Sequence, residues 1–164
     1  MSRPFVIWPH KALRTPAAPV PEVTEEVRSV WDEMVAAMEA MPGYGLAAPQ
    51  LGIGLRLAVV DASRERGRVV RLANPRVLHA SVELREHEEA SPNLPGVSAV
   101  VTRPRDVTVE FLNAEGQPEE RDFVGLWATS VQHQIDHLDG RMYFDRVSRT
   151  KRDMLLKRAR KIGH

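Results

Sequence analysis

The stretch Gln132-His133-Gln134-Ile135-Asp136-His137-Leu138-Asp139-Gly140 lies near the end of a chain of 164 residues. Apolar residues recur through and before it at helical spacing: Val124, Trp127, Ala128, Val131, Ile135 and Leu138. This pattern predicts a helix from about 124 to 138, which Gly140 ends. Residues four apart share one face of a helix, so His133 and His137 could reach a single ion, as in zinc-type sites. The alternative is a pair of histidines that only form surface hydrogen bonds.

The residue after the first histidine of the pair is Gln134. Metallohydrolases need a glutamate there, because it takes a proton from the attacking water and returns it to the leaving group. An amide has nearly the shape of a carboxylate and can hold a water, but it cannot accept and release a proton. The helix therefore predicts a metal-type site whose general base is missing.

The rest of the chain is predicted to contain short strands and two further helices. An apolar stripe between Val23 and Met38, with Thr24 as N-cap and Pro42-Gly43 as stop, predicts the first helix. Strands are expected at 56–62, 68–72, 76–80, 107–113 and 119–124, with a turn at Asn74-Pro75 and a hairpin between the last two. A basic amphipathic helix should run from about 150 to 162. Because no βαβ rhythm is present, the order predicts an α+β fold.

Composition narrows the classes of partner. The 23 basic residues nearly balance the 22 acidic ones, so the net charge of +1 favours neither DNA nor a membrane surface. The chain has no cysteine, which excludes disulfides and thiolate ligands. The apolar run near the N-terminus is too short for a signal peptide and no segment is long enough to span a bilayer. We therefore expect a cytoplasmic protein.

Three segments together resemble peptide deformylases, in the same order and at similar separations. Residues 43–50, Gly-Tyr-Gly-Leu-Ala-Ala-Pro-Gln, resemble the family's Gly-x-Gly-Leu-Ala-Ala-x-Gln, and residues 132–140 resemble its Gln-His-Glu-x-Asp-His-Leu-x-Gly. Residues 89–96, Glu-Ala-Ser-Pro-Asn-Leu-Pro-Gly, match Glu-Gly-Cys-Leu-Ser-x-Pro-Gly only at Glu89, Pro95 and Gly96. The resemblance implies one deformylase-like domain, residues 1–164, with short antiparallel strands around a central helix that bears the histidine pair, plus N- and C-terminal helices.

The resemblance also implies an activity. Deformylases remove the formyl group from the N-terminal methionine of new polypeptides with a divalent metal, usually iron or zinc. The family's three ligands map onto Ser91, His133 and His137. Its general base maps onto Gln134. Its oxyanion is stabilised by the glutamine that maps onto Gln50 and by the backbone N–H at the position of Pro92.

Three of these positions depart from the family pattern. A serine hydroxyl at Ser91 is neutral and a weaker ligand than a thiolate, so we expect a divalent metal at reduced affinity or none. Proline has no backbone N–H, so Pro92 removes an oxyanion donor, at a cost of about 10²–10³ in rate. Losing the general base at Gln134 costs on the order of 10²–10⁴ more. The changes affect ligand, base and oxyanion hole, which predicts impaired or absent deformylase activity.

Other residues are candidates for binding. Tyr44, Gly45 and Leu94 are expected to contact an N-terminal peptide or a formyl-Met-like ligand. The basic helix at 150–162 is either a solvated face or a contact to the ribosome.

The acidic residues near the second motif have structural interpretations. Glu89 is expected to pair with a cation such as Arg103, and Asp136 to orient a neighbouring group. His87 is the candidate replacement ligand, although its charged neighbours favour a solvated side chain.

Three functions remain open from the sequence. The first is an impaired deformylase-like protein that keeps its peptide cleft as a binding or regulatory protein. The second is an active metal-dependent deformylase or N-acyl amide hydrolase with Ser/His/His ligation. The third is a ribosome-associated binding factor.

Overall fold

The computed structural model describes residues 3–163, so Met1, Ser2 and His164 of the predicted domain lie outside the described residues. Three α-helices are present: α1 (Glu25–Ala40), α2 (Leu126–Leu138) and α3 (Arg149–Lys161). Seven strands lie between α1 and α2: β1 (Gly45–Ala47), β2 (Leu57–Val60), β3 (Val70–Ala80), β4 (Leu84–Glu89), β5 (Ala99–Pro104), β6 (Asp106–Leu112) and β7 (Pro118–Val124). None of the helices in the described residues has the length and apolar character needed to cross a bilayer.

Five strands form an antiparallel sheet in the order β1-β2-β3-β6-β7, and β4 and β5 form a separate antiparallel pair. All four residues of β2 are buried, because both faces of the sheet are covered. Ala58 and Val60 belong to the cluster that contains α2, whereas Leu57 and Val59 belong to the cluster that contains α1. Alternate residues of β2 therefore pack into two different apolar layers. The predicted α+β class is confirmed.

Helix α1 begins where its sequence predicts. The Thr24 hydroxyl accepts a hydrogen bond from the backbone N–H of Val27, which satisfies one of the free donors of the first turn. Trp31, Met34 and Met38 are completely buried against the sheet. The indole N–H of Trp31 donates to the carbonyl of Leu72 at 3.3 Å, so α1 is also hydrogen-bonded to β3.

The predicted turn at Asn74-Pro75 is wrong. Residues 70–80 form one continuous strand, β3, whose register with β6 shifts between Ala73 and Arg76. Asn74 takes a positive φ of 51°, and its side-chain amide accepts from the backbone N–H of Val20 and donates to the carbonyl of Val20. A bulge of this kind bends a strand without reversing it, and the residue that bends β3 also anchors the N-terminal arm.

The predicted start of α2 is two residues too early. Val124 ends β7 and is exposed, and Gly125 at φ 58° forms the N-cap of the helix. From Ala128 to Leu138 all residues of α2 except Gln132 are buried. The central helix thus lies on the sheet with most of its surface covered. Helix α3 packs through Leu155 and Ala159 in the apolar cluster that contains Val101 of β5.

Candidate functional site

The two histidines of α2 point their Nε2 atoms at each other inside the protein. The Nε2 atoms of His133 and His137 are 3.1 Å apart, and both side chains are buried. A tetrahedral zinc ion bound by two imidazoles at about 2.0–2.1 Å would place these nitrogens about 3.3 Å apart. The helix therefore brings the pair together as its spacing predicts, with a separation close to that of two ligands.

A chain of buried charges fixes the His133 ring. Its Nδ1 lies 2.7 Å from Glu89 Oε1, and Arg103 donates two hydrogen bonds to the same carboxylate, at 2.7 and 2.9 Å. Burial alone would raise the pKa of Glu89, but the hydrogen bonds from Arg103 and His133 outweigh it and lower the pKa to about 2. The ionised carboxylate therefore accepts the Nδ1–H of His133, which leaves Nε2 with its lone pair in the neutral ring.

The network continues to Asp136. Arg103 also donates to Asp136 at 2.8 Å, and Arg146 donates to both oxygens of that carboxylate. Burial opposes ionisation of Asp136, but the hydrogen bonds and charges of Arg146 and Arg103 keep its pKa below the usual value. The predicted pairing of Glu89 with Arg103 is confirmed. Asp136 orients Arg103, and through it Glu89.

His137 is the most deeply enclosed member of the pair. Burial lowers its pKa well below the usual value, and repulsion from a protonated His133 and from Arg103 would lower it further, so the His137 ring is neutral. Its Nδ1 is buried and has no hydrogen-bond partner among the described residues. In the Nε2–H tautomer, His137 donates to the lone pair of His133 Nε2.

Ser91 is held by hydrogen bonds instead of standing free as a ligand. Its hydroxyl donates to Asn93 Oδ1 at 2.9 Å and accepts from the backbone N–H of Asn93 at 3.3 Å. No group of three His, Cys, Asp or Glu side chains that could hold a metal occurs within residues 3–163. Two imidazoles thus fit a divalent cation, but the hydroxyl in the third position does not fit a three-ligand centre.

Gln50 is oriented by its neighbours. Its Oε1 accepts from the backbone N–H of Ala47 at 2.9 Å, and its Nε2 donates to Asn93 Oδ1 at 2.8 Å. Ser91 Oγ lies 3.5 Å from the same Nε2. The structure therefore places Gln50 beside Ser91, as the mapping expects, with one of its two Nε2 hydrogens donated to Asn93.

An open cleft of about 440 Å³ lies against this cluster. Of the sequence-predicted positions, it is lined by Tyr44, Gly45, Gln50, Ser91, Pro92, His133 and Gln134, together with the candidate His87. Leu94 is not among the lining residues, because it packs into the apolar cluster of the N-terminal arm, β5 and α3. His137 lies behind His133, away from the cleft wall.

Gln134 lies at the contact between α2 and β1. A Cβ atom added to Gly45 would stand 2.7 Å from Gln134 Nε2 and 2.6 Å from Ser130 Oγ. The missing side chain at residue 45 is what allows the helix to approach the strand. Gln134 Oε1 is buried and has no hydrogen-bond partner in the described residues, and the side chain presents an amide to the cleft at the position where the family motif has glutamate.

Sequence reasoning missed Asn93, Arg146 and Tyr143. Asn93 bonds to both Ser91 and Gln50, and the Tyr143 ring stacks on His133 with ring centroids 6.0 Å apart. Arg146 completes the charge chain from a turn ten residues beyond Asp136. Only Asn93 left a signal in the sequence, since it stands where the family motif has serine.

Comparisons with known proteins agree over almost the whole chain. The family model described as Polypeptide deformylase matches residues 2–153. A peptide deformylase of Acidobacterium capsulatum is 41% identical over 164 residues, which cover 99% of this chain and 96% of the relative.

Two solved structures show the same likeness. A peptide deformylase from Legionella pneumophila has 33% sequence identity and a TM-score of 0.91, covering 99% of this chain and 95% of the other. A class I type b peptide deformylase from Acinetobacter baumannii, solved with Met-Ala-Ser bound, has 29% identity and a TM-score of 0.84, covering 90% of this chain and 99% of the other.

Proposed function

Because this chain belongs to the peptide deformylase family and has its fold, we propose that it binds N-terminal segments of new polypeptides but removes their formyl group slowly or not at all. The observation that carries this proposal is Gln134, an amide at the cleft wall in the position of the family's general base. The family is metal-dependent. The cleft itself is open beside Tyr44 and Gly45, so binding is retained where proton transfer is lost.

The chemistry of the lining residues supports slow turnover. Gln134 can hold a water by hydrogen bonds but cannot take its proton. Pro92 has no N–H for a developing oxyanion, so the donor that remains is Gln50, which has one of its two amide N–H groups bonded to Asn93. His133 and His137 could hold a divalent metal such as zinc or iron, which would supply Lewis acidity. With Ser91 bonded to Asn93, we propose that this metal is bound at reduced affinity or not at all.

The test compares formyl-Met-Ala-Ser hydrolysis by the wild type, with Zn²⁺, Co²⁺ or Fe²⁺ supplied, and by a Ser91→Cys, Pro92→Leu, Gln134→Glu variant. We expect the variant to gain at least about 10²-fold in kcat/KM, since one oxyanion donor alone is worth about 10²–10³. Gln132→Glu is the matched control, because Gln132 faces away from the cleft and donates to the carbonyl of Pro104. A wild-type kcat/KM of about 10⁴–10⁸ M⁻¹ s⁻¹ would contradict the proposal.

Peptide binding is measured separately. Titration calorimetry with Met-Ala-Ser should detect binding to the wild type that is lost in Ala90→Trp, a change that places a large side chain on the cleft wall. Equal binding by both proteins would place the peptide elsewhere.

A second candidate is an active deformylase or N-acyl amide hydrolase with Ser/His/His ligation. The observation that favours it is the 3.1 Å separation of the two Nε2 atoms, with Glu89 holding His133 in the ligand tautomer. The relatives of this chain at about 40% identity, which are named peptide deformylases, also support this candidate. It requires close to one metal ion per chain in protein purified without chelator, measured by elemental analysis. A ratio of metal to chain near zero would exclude this second candidate.

A third candidate is contact with the ribosome through α3. Lys157, Arg158, Arg160 and Lys161 are exposed on this helix, and phosphate contacts of this kind weaken steeply with salt. Cosedimentation with ribosomes should fall when these four residues are neutralised. The control neutralises four exposed arginines elsewhere, Arg64, Arg68, Arg76 and Arg121. Equal cosedimentation of both variants would remove this candidate. In each of the three cases the expected compartment is the cytoplasm, where new polypeptides are made.

A further inference from the structure

Helix α2 presents a mostly polar face to the cleft. The α2 residues that line the cleft share one side of the helix: Leu126, Thr129, Ser130, His133 and Gln134. Four of these five side chains are polar, and Thr129 and Ser130 are each at most 5% exposed. An apolar ligand side chain placed here would take water from the hydroxyls without giving them a partner, which is unfavourable. This face of α2 therefore suits a ligand side chain with polar atoms.

Strand β4 brings an arginine to this polar face. Arg85 and Glu89 lie on the inward face of β4, whereas Glu86 and Glu88 are exposed, as expected from the alternation of side chains along a strand. Arg85 Nη1 donates to Thr129 Oγ1 at 2.9 Å. The guanidinium thus reaches a hydroxyl of the cleft wall.

Arg85 lacks the kind of partner that comparable arginines have. Within residues 3–163, the other buried or half-buried arginines each have a carboxylate oxygen within 4.0 Å: Arg28, Arg56, Arg66, Arg71, Arg103 and Arg152. In the same part of the chain, no carboxylate lies that close to Arg85, and its hydrogen bond goes to a neutral hydroxyl. A half-buried cation without a counter-charge favours an anionic ligand.

We propose that Arg85 and Thr129 form a subsite for a carboxylate, so that the cleft prefers N-terminal segments with an acidic side chain. This inference rests on the proposed function, because it names the class of peptide that the same cleft binds. A carboxylate only accepts hydrogen bonds, whereas a guanidinium has five N–H donors and a hydroxyl has one. The thioether of methionine is uncharged and a weak acceptor, so Met-Ala-Ser occupies the cleft without using this subsite.

The distance along α2 suits a glutamate side chain. Thr129 precedes His133 by four residues, which is about 6 Å along a helix axis. A glutamate side chain, with two methylene groups before its carboxylate, spans most of such a distance. A first residue whose backbone lies beside His133 can therefore direct a glutamate carboxylate to Thr129 and Arg85.

The cleft is also lined by two carboxylates of the protein itself, Glu88 and Glu89. Glu89 is balanced by Arg103, which donates two hydrogen bonds to it. Glu88 is exposed to solvent, where its charge is screened, and it accepts a hydrogen bond from Ser98 Oγ at 2.6 Å. Arg85 is closer to Thr129 than to either carboxylate, so the charge that a ligand meets there is positive.

Titration calorimetry with unformylated peptides provides the test, since they have no formyl group to lose. We expect the wild type to bind Glu-Ala-Ser about 10–100-fold more tightly than Gln-Ala-Ser, the usual factor for a hydrogen bond to a charged group. In Arg85→Met, which keeps an apolar stem and removes the charge, this ratio should fall below about threefold. Arg105→Met is the matched control, because Arg105 is an exposed arginine paired with Glu83, and it should keep the wild-type ratio.

The outcomes separate the subsite from the proposed function. Equal affinities for Glu-Ala-Ser and Gln-Ala-Ser in the wild type would overturn the subsite alone, as would a preference that persists in Arg85→Met. If neither these peptides nor Met-Ala-Ser bind, both the subsite and the proposed function are wrong. Fast hydrolysis of formyl-Met-Ala-Ser would contradict the proposed function alone.

A second measurement uses the wild type, so it does not depend on the folding of a variant. In the ¹H–¹⁵N spectrum, adding Glu-Ala-Ser should shift the side-chain Nε–H signal of Arg85 and leave that of Arg105 unchanged. Gln-Ala-Ser at the same concentration should shift the Arg85 signal much less. An Arg85 signal that does not respond to Glu-Ala-Ser would show that no carboxylate binds there.

Discussion

At the scale of single residues, charge pairing outweighs burial around His133. Glu89, Arg103 and Asp136 are each at most 4% exposed, and isolated charges at such depth would be strongly destabilising. Arg103 bonds to both carboxylates, which lowers the pKa of each despite their burial. The network holds His133 in one orientation whether or not a metal binds.

Arg103→Met should be severely destabilising. The change leaves Glu89 without its main partner and Asp136 with Arg146 alone, and breaking a buried pair costs about 3–5 kcal/mol. Urea unfolding followed by circular dichroism measures the loss. Arg105→Met serves as the control, because that side chain and its partner Glu83 are both more than half exposed, where a pair contributes about 0–1 kcal/mol. Similar losses in both variants would contradict a special role for Arg103.

Gly45→Ala tests the close approach of α2 to β1. Its Cβ would stand 2.6 Å from Ser130 Oγ and 2.7 Å from Gln134 Nε2, so the helix or its side chains must move. We expect a loss of about 1–3 kcal/mol in unfolding free energy. An added Cβ at Gly54 meets nothing within 4 Å, so Gly54→Ala should be nearly neutral. A neutral result at residue 45 would show that the contact relaxes freely.

At the scale of elements, the N-terminal arm and α3 are held by the few side chains that they bury. Helix α3 is strongly basic, and only Leu155 and Ala159 of its residues are buried. They pack in one cluster with Leu13 of the arm and Tyr143 of the turn beside His133. The C-terminal helix therefore supports the site from behind, while its charged face stays in solvent.

Leu155→Ala should weaken the docking of α3. Deleting a buried leucine side chain costs about 2–5 kcal/mol, whereas its neighbour Met154 is 59% exposed and Met154→Ala should change stability by less than about 0.5 kcal/mol. Thermal unfolding of the two variants gives the comparison. In Leu155→Ala, hydrogen exchange should also speed up in α3 before it does in the central sheet. Uniform exchange across both would argue that α3 and the sheet open together.

At the scale of the whole molecule, three apolar clusters enclose the sheet and the histidine pair. One lies between α2 and the sheet, one between α1 and the sheet, and one joins the arm, β5 and α3. The buried network of ion pairs from Arg146 to His133 fills the interior next to the cleft.

Because the proposed metal affinity is low, wild-type stability should respond little to metal removal. A ligand that binds only the folded state stabilises by RT ln(1 + [L]/Kd), which is about 0.4 kcal/mol when its concentration equals Kd. We expect the midpoint of thermal unfolding to be the same, within about 1 °C, in chelator and in 10 µM Zn²⁺. The Ser91→Cys, Pro92→Leu, Gln134→Glu variant should instead be stabilised by zinc. A wild-type midpoint several degrees higher with zinc would indicate tight binding and favour the active-enzyme candidate.

The sequence predicted those parts of the site that depend on local geometry. The His133–His137 pair is close because four residues make about one helical turn, and α1 begins at Thr24 because a hydroxyl caps its first turn. The hairpin of β6 and β7 was also predicted from the sequence, since a short turn joins adjacent strands. By contrast, the turn predicted at Asn74 was wrong, because a residue with positive φ can bend a strand as well as reverse it.

The sequence by itself determined the family, the α+β class, the histidine pair and the departures from the family motif at Ser91, Pro92 and Gln134. Only the tertiary structure decided what surrounds them. Asn93 bonds to Val6 across 87 residues and to Gln50 across 43, and Leu94 turns into the core instead of the cleft. Local spacing fixes which side chains share a helix face, whereas partners distant in sequence meet only when the arm, the sheet and the helices pack together.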